Sequence, residues 1–349
     1  MKPKKITLQS GRIKTSDFDY DLPKDFIAQD PLPSRDSSKL LVFDSKSGEV
    51  CHRHFRDIVD YLGKDDALVV NRSKVIPARV TFEVNGAEKE VFLLRKKGEN
   101  VYRSLVRPGD FFTLGRKFKI HGIEGEVLEI FEDGTRLVSF SGDVLKEGHV
   151  PLPPYIKNQN VDFERYQTVY AKEAGSVAAP TAGLHFTDGL IDKLVENGVE
   201  FEEVILHVGR GTFLPIITEN IQDHVMHSEF YELSSNTASS LNAYLNEGKR
   251  VVAVGTTSVR VLESVFDDGF EACSGETDIF IYPGSYQWKV VNSLITNFHL
   301  PKSTLIMLVA SFLESKGIED PVAKVLDLYE IAKKENYRFY SFGDAMLII

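Results

Sequence analysis

Cysteine is scarce in this 349-residue chain: Cys51 and Cys273 are the two present, far apart and in no metal-type spacing. That count argues against a disulfide framework and fits a reducing cytoplasm. Long apolar runs are missing as well. The longest, Leu305–Ala310 within Thr304–Leu313, is far too short to span a bilayer, and no apolar signal core follows the basic N-terminus. A soluble cytoplasmic protein with no membrane partner is expected. Positive charge is in short supply, with 41 Lys and Arg against 51 Asp and Glu for a net charge of −10. This balance argues against a broad basic sleeve for nucleic acid and leaves room only for a local one. Several chemistries lack their signatures. There is no Gly-x-Gly-x-x-Gly after a strand, no phosphate loop ending in Gly-Lys-Ser/Thr, no Gly-x-Ser-x-Gly elbow and no setting for a cysteine nucleophile.

What is present reads as a globular α/β enzyme, with 42% hydrophobic and 26% charged residues. From Ala67 to Val150 short β runs alternate with turns. Asn85-Gly86 between Arg79–Val84 and Glu90–Leu94 is a hairpin signal, because both central residues of a type I′ turn need positive φ. Such closely spaced strands predict a small antiparallel barrel over residues 67–150. Before and after it, helices alternate with strands: Leu40–Phe43 as a strand and Phe55–Leu62 as a helix, then helices capped by Thr187, Ser235 and Ser303. Strands are expected at Glu202–Val208, Arg250–Val254 and Asp278–Tyr282, and a last helix at Pro321–Glu335. The expected architecture is a layered α/β domain, discontinuous over 1–66 and 151–349, with the barrel inserted into it. Residues 1–16, locally basic, read as a flexible extension.

Chemistry concentrates at element ends. Gly175–Phe186 packs small residues around Pro180, Thr181 and His185, then Thr187 opens a helix. Glycine and alanine let backbone approach a ligand, and a strand-to-helix junction offers N–H groups to an anion. His207–Phe213, His224–Glu229, Gly255–Arg260 and Thr296–Pro301 are similarly polar, and in open α/β sheets ligands sit beyond the carboxyl ends of strands. His224, His227 and Glu229 could ligate a metal, but His-x-x-His-x-Glu lacks the helical two-His spacing, so none is expected. A histidine, arginine and threonine-rich cleft is as far as the residues alone lead.

Taken together, the segments resemble the S-adenosylmethionine:tRNA ribosyltransferase-isomerase family of queuosine biosynthesis. The matching stretches are Phe18–Pro23, Pro33–Leu40, Val75–Arg79, Tyr166–Tyr170, Gly175–Phe186, His207–Phe213, Met226–Glu229, Gly255–Arg260, Thr277–Gly284, Leu294–Pro301 and Tyr337–Asp344. Arg210 departs from the more aliphatic family pattern, and Tyr102 stands where a tryptophan is familiar. The resemblance implies transfer of the ribosyl part of S-adenosylmethionine to the aminomethyl arm of a 7-deazaguanine at the tRNA wobble position. The ribose rearranges to the epoxycyclopentanediol of epoxyqueuosine, and adenine and methionine leave. S-adenosylmethionine is then a substrate, tRNA the partner, and a monomer is expected.

That chemistry needs a base for the acidified 5′ hydrogens, an acid for departing adenine and a neutral amine held close. His185 and His207 are the leading proton-transfer candidates, with His299 third and Glu229 in reserve. Thr181, Gly255, Thr256, Thr257 and Ser258 are expected to hold ribose or carboxylate, Arg260 an anion and Asp278 ribose hydroxyls. Arg35, Lys39, Arg72, Lys74 and Arg79 would form a phosphate track for tRNA. Two other readings stay open: an S-adenosylmethionine-dependent methyltransferase, disfavoured by the missing glycine fingerprint, and a non-catalytic RNA-binding module, disfavoured by net acidity.

Overall fold

The computed structural model describes residues 13–158, 162–209, 211 and 216–349. In chain order the strands are β1 (Lys39–Phe43), β2 (Val50–His54), β3 (Asp66–Asn71), β4 (Ser73–Val75), β5 (Arg79–Val84), β6 (Ala87–Gly98), β7 (Val101–Arg107), β8 (Lys117–Ile120) and β9 (Ile123–Ile130). They continue as β10 (Arg136–Phe140), β11 (Glu173–Ser176), β12 (Glu200–Leu206), β13 (Glu229–Leu233), β14 (Arg250–Val254), β15 (Cys273–Thr277), β16 (Val291–Asn297) and β17 (Ala345–Ile348). The helices are α1 (Asp188–Glu196), α2 (Ser235–Asn246), α3 (Gly255–Val265), α4 (Thr304–Ser315) and α5 (Pro321–Lys334).

Nine strands form one mixed sheet in the order β15-β13-β12-β3-β14-β16-β17-β1-β2. Its centre, β12-β3-β14-β16, is parallel. Period-two alternation divides each strand between two cores. Leu41, Val69, Val251, Ala253, Leu294 and Met346 face a core shared with α2 to α5. Leu40, Leu68, Val252, Val254, Ile295 and Leu347 face the opposite core, shared with α1 and the 3₁₀ helix Phe55–Asp60. Burial on both faces is what a parallel centre requires.

Six antiparallel strands form the second sheet, in the order β5-β6-β7-β10-β9-β8. Its concave side gathers Val80, Phe82, Val91, Tyr102, Phe118 and Val138. Phe82 of edge strand β5 stacks on Phe118 of the other edge, β8, with centroids 5.5 Å apart, so the sheet is nearly closed. The expected hairpin is present, with φ of 53° at Asn85 and 75° at Gly86.

The fold corrects several boundaries. The barrel starts at Arg79 and not at residue 67: β3 is buried at all six positions and lies in the large sheet between β12 and β14. A continuous apolar run suits a central parallel strand, whereas a barrel strand alternates. Asp278–Tyr282 is not a strand, because β15 ends at Thr277, which pairs with the first residue of β13. Ser234, one residue before the expected Ser235, caps α2 by accepting a hydrogen bond from the Thr237 N–H. Of the expected flexible extension, residues 1–12 lie outside the described residues. Residues 13–16 are docked: Ile13 and Thr15 are buried, and Lys14 pairs with Asn220 and with the Glu219 carboxylate.

Candidate functional site

Parallel strands β14 and β16 end side by side at Val254 and Asn297, and a cavity opens beyond them. From Val254 the chain turns directly into α3. Gly255 makes the turn at φ 81°, a left-handed conformation that disfavours a side chain. Val254 occupies the N-cap of α3 and supplies no side-chain cap, so the first-turn N–H groups of Gly255, Thr256 and Thr257 give the cavity a partial positive charge. The start of α4, at Ser303 and Leu305, lines the same space. Small residues Ala178, Ala179 and Ala182 form one wall. Tyr155 and Tyr340 form another, their ring centroids 4.7 Å apart, and the Tyr155 hydroxyl is 2.7 Å from Ser341 Oγ. Tyr340 is held at φ 70°, a rare conformation for a bulky residue that marks a locally constrained wall. Thr257 Oγ1 is buried with no hydrogen-bond partner in the structure.

Asn297 organises the back of this cavity. Its Oδ1 accepts a 2.9 Å hydrogen bond from Thr181 Oγ1. Its Nδ2 faces the Asp344 carbonyl oxygen at 3.5 Å and His185 Nε2 at 3.2 Å. With the amide nitrogen turned toward this carbonyl, which can only accept, Nε2 of His185 serves as the acceptor. The other ring nitrogen, Nδ1, then donates to Ser38 Oγ at 2.7 Å. His185 also stacks on Phe55, and burial, aided by Arg338 and Arg35, pushes its pKa down to about 3. It is a neutral, fully engaged imidazole behind the wall and does not line the cavity.

His299 does line it. Thr296 Oγ1 lies 3.3 Å from Nε2 and the Tyr329 hydroxyl 3.4 Å from Nδ1, both long contacts. Burial pushes this histidine down to about 3 as well, so it too is neutral near pH 7.

The remaining expected site residues lie elsewhere. His207 is on the side of its strand extension opposite Val208: Val208 lines the cavity, while His207 lines a cleft between the two sheets. It stacks on Phe230, its Nδ1 is buried without a partner, and burial lowers its pKa. A Cβ at Gly175 would sit 2.6 Å from His207 Nε2, which accounts for that glycine. Glu229 and Arg260 form a buried ion pair with each other. Glu229 also accepts the Gly209 N–H, and Arg260 donates to the Thr277 carbonyl at 3.0 Å, so two of its three guanidinium nitrogens are engaged, while Nε is buried with no hydrogen-bond partner. Ser258 is fully buried and donates to the Val254 carbonyl one turn back, not to the cavity. Asp278 is exposed after β15 and does not line the cavity.

A family model described as queuosine biosynthesis protein matches residues 15–348. The chain belongs to the queuosine biosynthesis protein family. It is 51% identical over 348 residues to the S-adenosylmethionine:tRNA ribosyltransferase-isomerase of Carboxydothermus hydrogenoformans, covering 97% of this chain and all of that one. With the protein of the same name from Desulfitobacterium hafniense it shares 48% identity over 349 residues, covering 97% of this chain and 100% of the relative. The crystal structure of S-adenosylmethionine tRNA ribosyltransferase from Thermotoga maritima is similar with a TM-score of 0.55 and 38% identity, covering 96% of this chain and 100% of that one.

Within this family member the expected basic track is dispersed. Arg72 is paired with Glu173 and Glu203, and Arg79 with Glu90. Lys39 donates to the carbonyls of Glu335 and Asn336. Lys74 is half-buried on the short strand β4. Arg35 alone reaches the neighbourhood of the cavity, in a notch that shares Ser341 with it. Sequence reasoning missed Asn297, Tyr155 and Tyr340. Asn297, at the end of β16, and Tyr340, in a loop, lie in stretches that carry the resemblance, but a single amide or aromatic has no periodic signature. Among the described residues no group of three or more His, Cys, Asp or Glu side chains is placed to hold a metal, and no helix is long and apolar enough to cross a membrane.

Proposed function

We propose that this chain is an S-adenosylmethionine:tRNA ribosyltransferase-isomerase, acting on the 7-aminomethyl-7-deazaguanine at the wobble position to give epoxyqueuosine-tRNA, adenine and methionine. The observation that carries the reading is the cavity beyond β14 and β16, where the uncapped start of α3 faces aromatic and hydroxyl walls. The N–H groups of Gly255, Thr256 and Thr257 suit the methionine carboxylate. Thr181, held by Asn297, suits ribose hydroxyls, and Tyr155 and Tyr340 offer a face for adenine. His299 enters the reaction neutral, so it can accept a proton or a hydrogen bond but cannot supply the first proton. A nearby sulfonium charge would hold it neutral still more firmly. The enzyme is proposed to act as a monomer, and a tRNA substrate implies the cytoplasm.

The test is adenine release by the purified protein with S-adenosylmethionine and precursor-bearing tRNA. Label from the ribose should appear in the tRNA while methyl label leaves with methionine. Methyl label in the tRNA would make the protein a methyltransferase, and tRNA binding without adenine release would leave a binding module.

A further inference from the structure

Two clusters of cations lie near the cavity, and counting their charges separates them. In the cleft between the two sheets, Arg95, Lys96 and Arg103 share the lining with Asp133, Glu229 and Glu276. Arg95 is paired with Glu276 and Arg103 with Asp133, so that cleft is close to neutral. The second cluster is a notch lined by Arg35, Arg165 and Arg338 with Ser38, His185 and Ser341, and no carboxylate lines it.

The three guanidinium groups are held in place mainly by neutral partners. Arg35 donates to the carbonyls of Leu184 and Glu164, Arg165 to those of Leu32 and Pro33, and Arg338 to that of Asp30. Carbonyl dipoles orient a guanidinium without cancelling its charge. The Asp344 carboxylate lies 3.7 Å from Arg338 and is already engaged by the backbone N–H groups of Lys39 and Arg338. Nε of Arg165 is buried with no hydrogen-bond partner. Burial, then the neighbouring Arg165, lower the pKa of Arg35, against the weaker opposing pull of Tyr170, Asp188 and Glu164. Arginine forks match phosphate oxygens in geometry as well as charge.

We propose that this notch seats a phosphate of the RNA backbone next to the base presented to the cavity, with Arg165 and Arg338 as the principal contacts beside Arg35. The inference rests on the proposed tRNA substrate and deepens it. Ser341, shared by notch and cavity, sets the two side by side. A phosphodiester fixed there would hold the wobble nucleotide in register without reading its sequence.

The experiment measures binding of an anticodon stem-loop over a salt series for the intact protein, Arg165→Gln and Arg338→Gln. Each variant should bind about tenfold more weakly, with the slope of log affinity against log salt reduced by roughly 0.7–0.9 for the lost contact. S-adenosylmethionine affinity, measured on the same samples, should stay within about twofold and shows that the variants are folded. Arg338→Gln carries the test if Arg165→Gln does not fold, since Arg338 holds one carbonyl where Arg165 holds two. Inorganic phosphate at constant ionic strength should compete with the stem-loop in the intact protein and lose that effect in the variants. Unchanged affinity and slope overturn the proposal, as does a parallel loss of S-adenosylmethionine affinity, which would assign the notch to the substrate carboxylate. Phosphate binding that leaves stem-loop affinity untouched assigns it to the free ion and also overturns it. Failure of the intact protein to bind any stem-loop removes the tRNA reading itself.

Discussion

The amide nitrogen of Asn297 lies 3.2 Å from Nε2 of His185, and that contact ties the histidine into the wall behind the cavity. The sequence points to His185 as a catalytic residue whose loss should cost turnover far more than stability. The hydrogen bonds reverse that order. His185→Ala strands Ser38 and Asn297 and empties the stack on Phe55, so it should cost about 2–4 kcal/mol of stability. Turnover per folded molecule should fall only a few-fold. Urea unfolding alongside adenine release checks both, and a normal unfolding midpoint with abolished turnover would return His185 to a proton-transfer role.

Two imidazoles buried in the neutral form make stability depend on pH. His185 and His299 are both pushed from the ordinary 6.5 down to about 3, so below pH 6.5 the unfolded chain binds more protons than the folded one. Stability should therefore fall as pH drops from about 6.5 toward 5, by up to roughly 1.4 kcal/mol per pH unit for each imidazole. Denaturant midpoints across that window should decline steeply in the native protein and less so in His185→Asn. A flat profile there would show that neither imidazole is held neutral.

How much was legible before the structure divides along physical lines. The hairpin at Asn85-Gly86, the cap at Thr187 and the buried strand at Arg250–Val254 follow from local chemistry, and the structure has all three. The assignment of β3 failed because its neighbours, β12 and β14, come from more than a hundred residues away, and no local signal records that pairing. The segments that line the cavity stood out because small residues, hydroxyls and histidines concentrate at strand ends. Duties within a segment did not, because direction decides them. Val208 faces the cavity while His207 faces the cleft, and Thr257 lines the cavity while Ser258 turns back to its own helix. One residue of rotation separates a side chain that lines the cavity from one that faces away from it.

Arg260 and Glu229 illustrate the same point energetically. Their side chains are 7% and 3% exposed, so breaking the pair leaves an uncompensated buried charge. Arg260→Ala and Glu229→Ala should each cost about 3–5 kcal/mol. Replacing both with Ala should cost clearly less than the sum of the two. Urea denaturation of the two singles and the double forms the cycle. Additive losses would mean that each residue works alone, and a stable Arg260→Ala protein with lost S-adenosylmethionine binding would restore Arg260 as a substrate contact.

His299 is the histidine that lines the cavity, and its substitution should separate chemistry from binding. His299→Gln keeps a polar side chain toward Thr296 and Tyr329 but cannot take up a proton, so kcat should fall by about 10²-fold with S-adenosylmethionine affinity changed by less than about threefold. Single-turnover adenine release and equilibrium binding give the two numbers. Equal losses in both would make His299 a binding residue.

The sharpest probe of the proposed carboxylate end is Thr257, whose buried hydroxyl has no partner in the structure. An unmatched hydroxyl of this kind costs the folded protein about 1–3 kcal/mol unless a ligand satisfies it. Thr257→Val keeps nearly the same shape and removes the hydroxyl, so the unliganded protein should be as stable as the parent or more so. The bound complex loses a hydrogen bond, and KM for S-adenosylmethionine should rise about tenfold with kcat little changed. The two effects have opposite signs, which a general packing defect at the start of α3 cannot produce. Thermal unfolding of the free protein and substrate-dependent kinetics measure them separately. Loss of stability together with a higher KM would mean that Thr257 packs the helix start, leaving the backbone N–H groups of α3 as the only contacts at that end of the cavity.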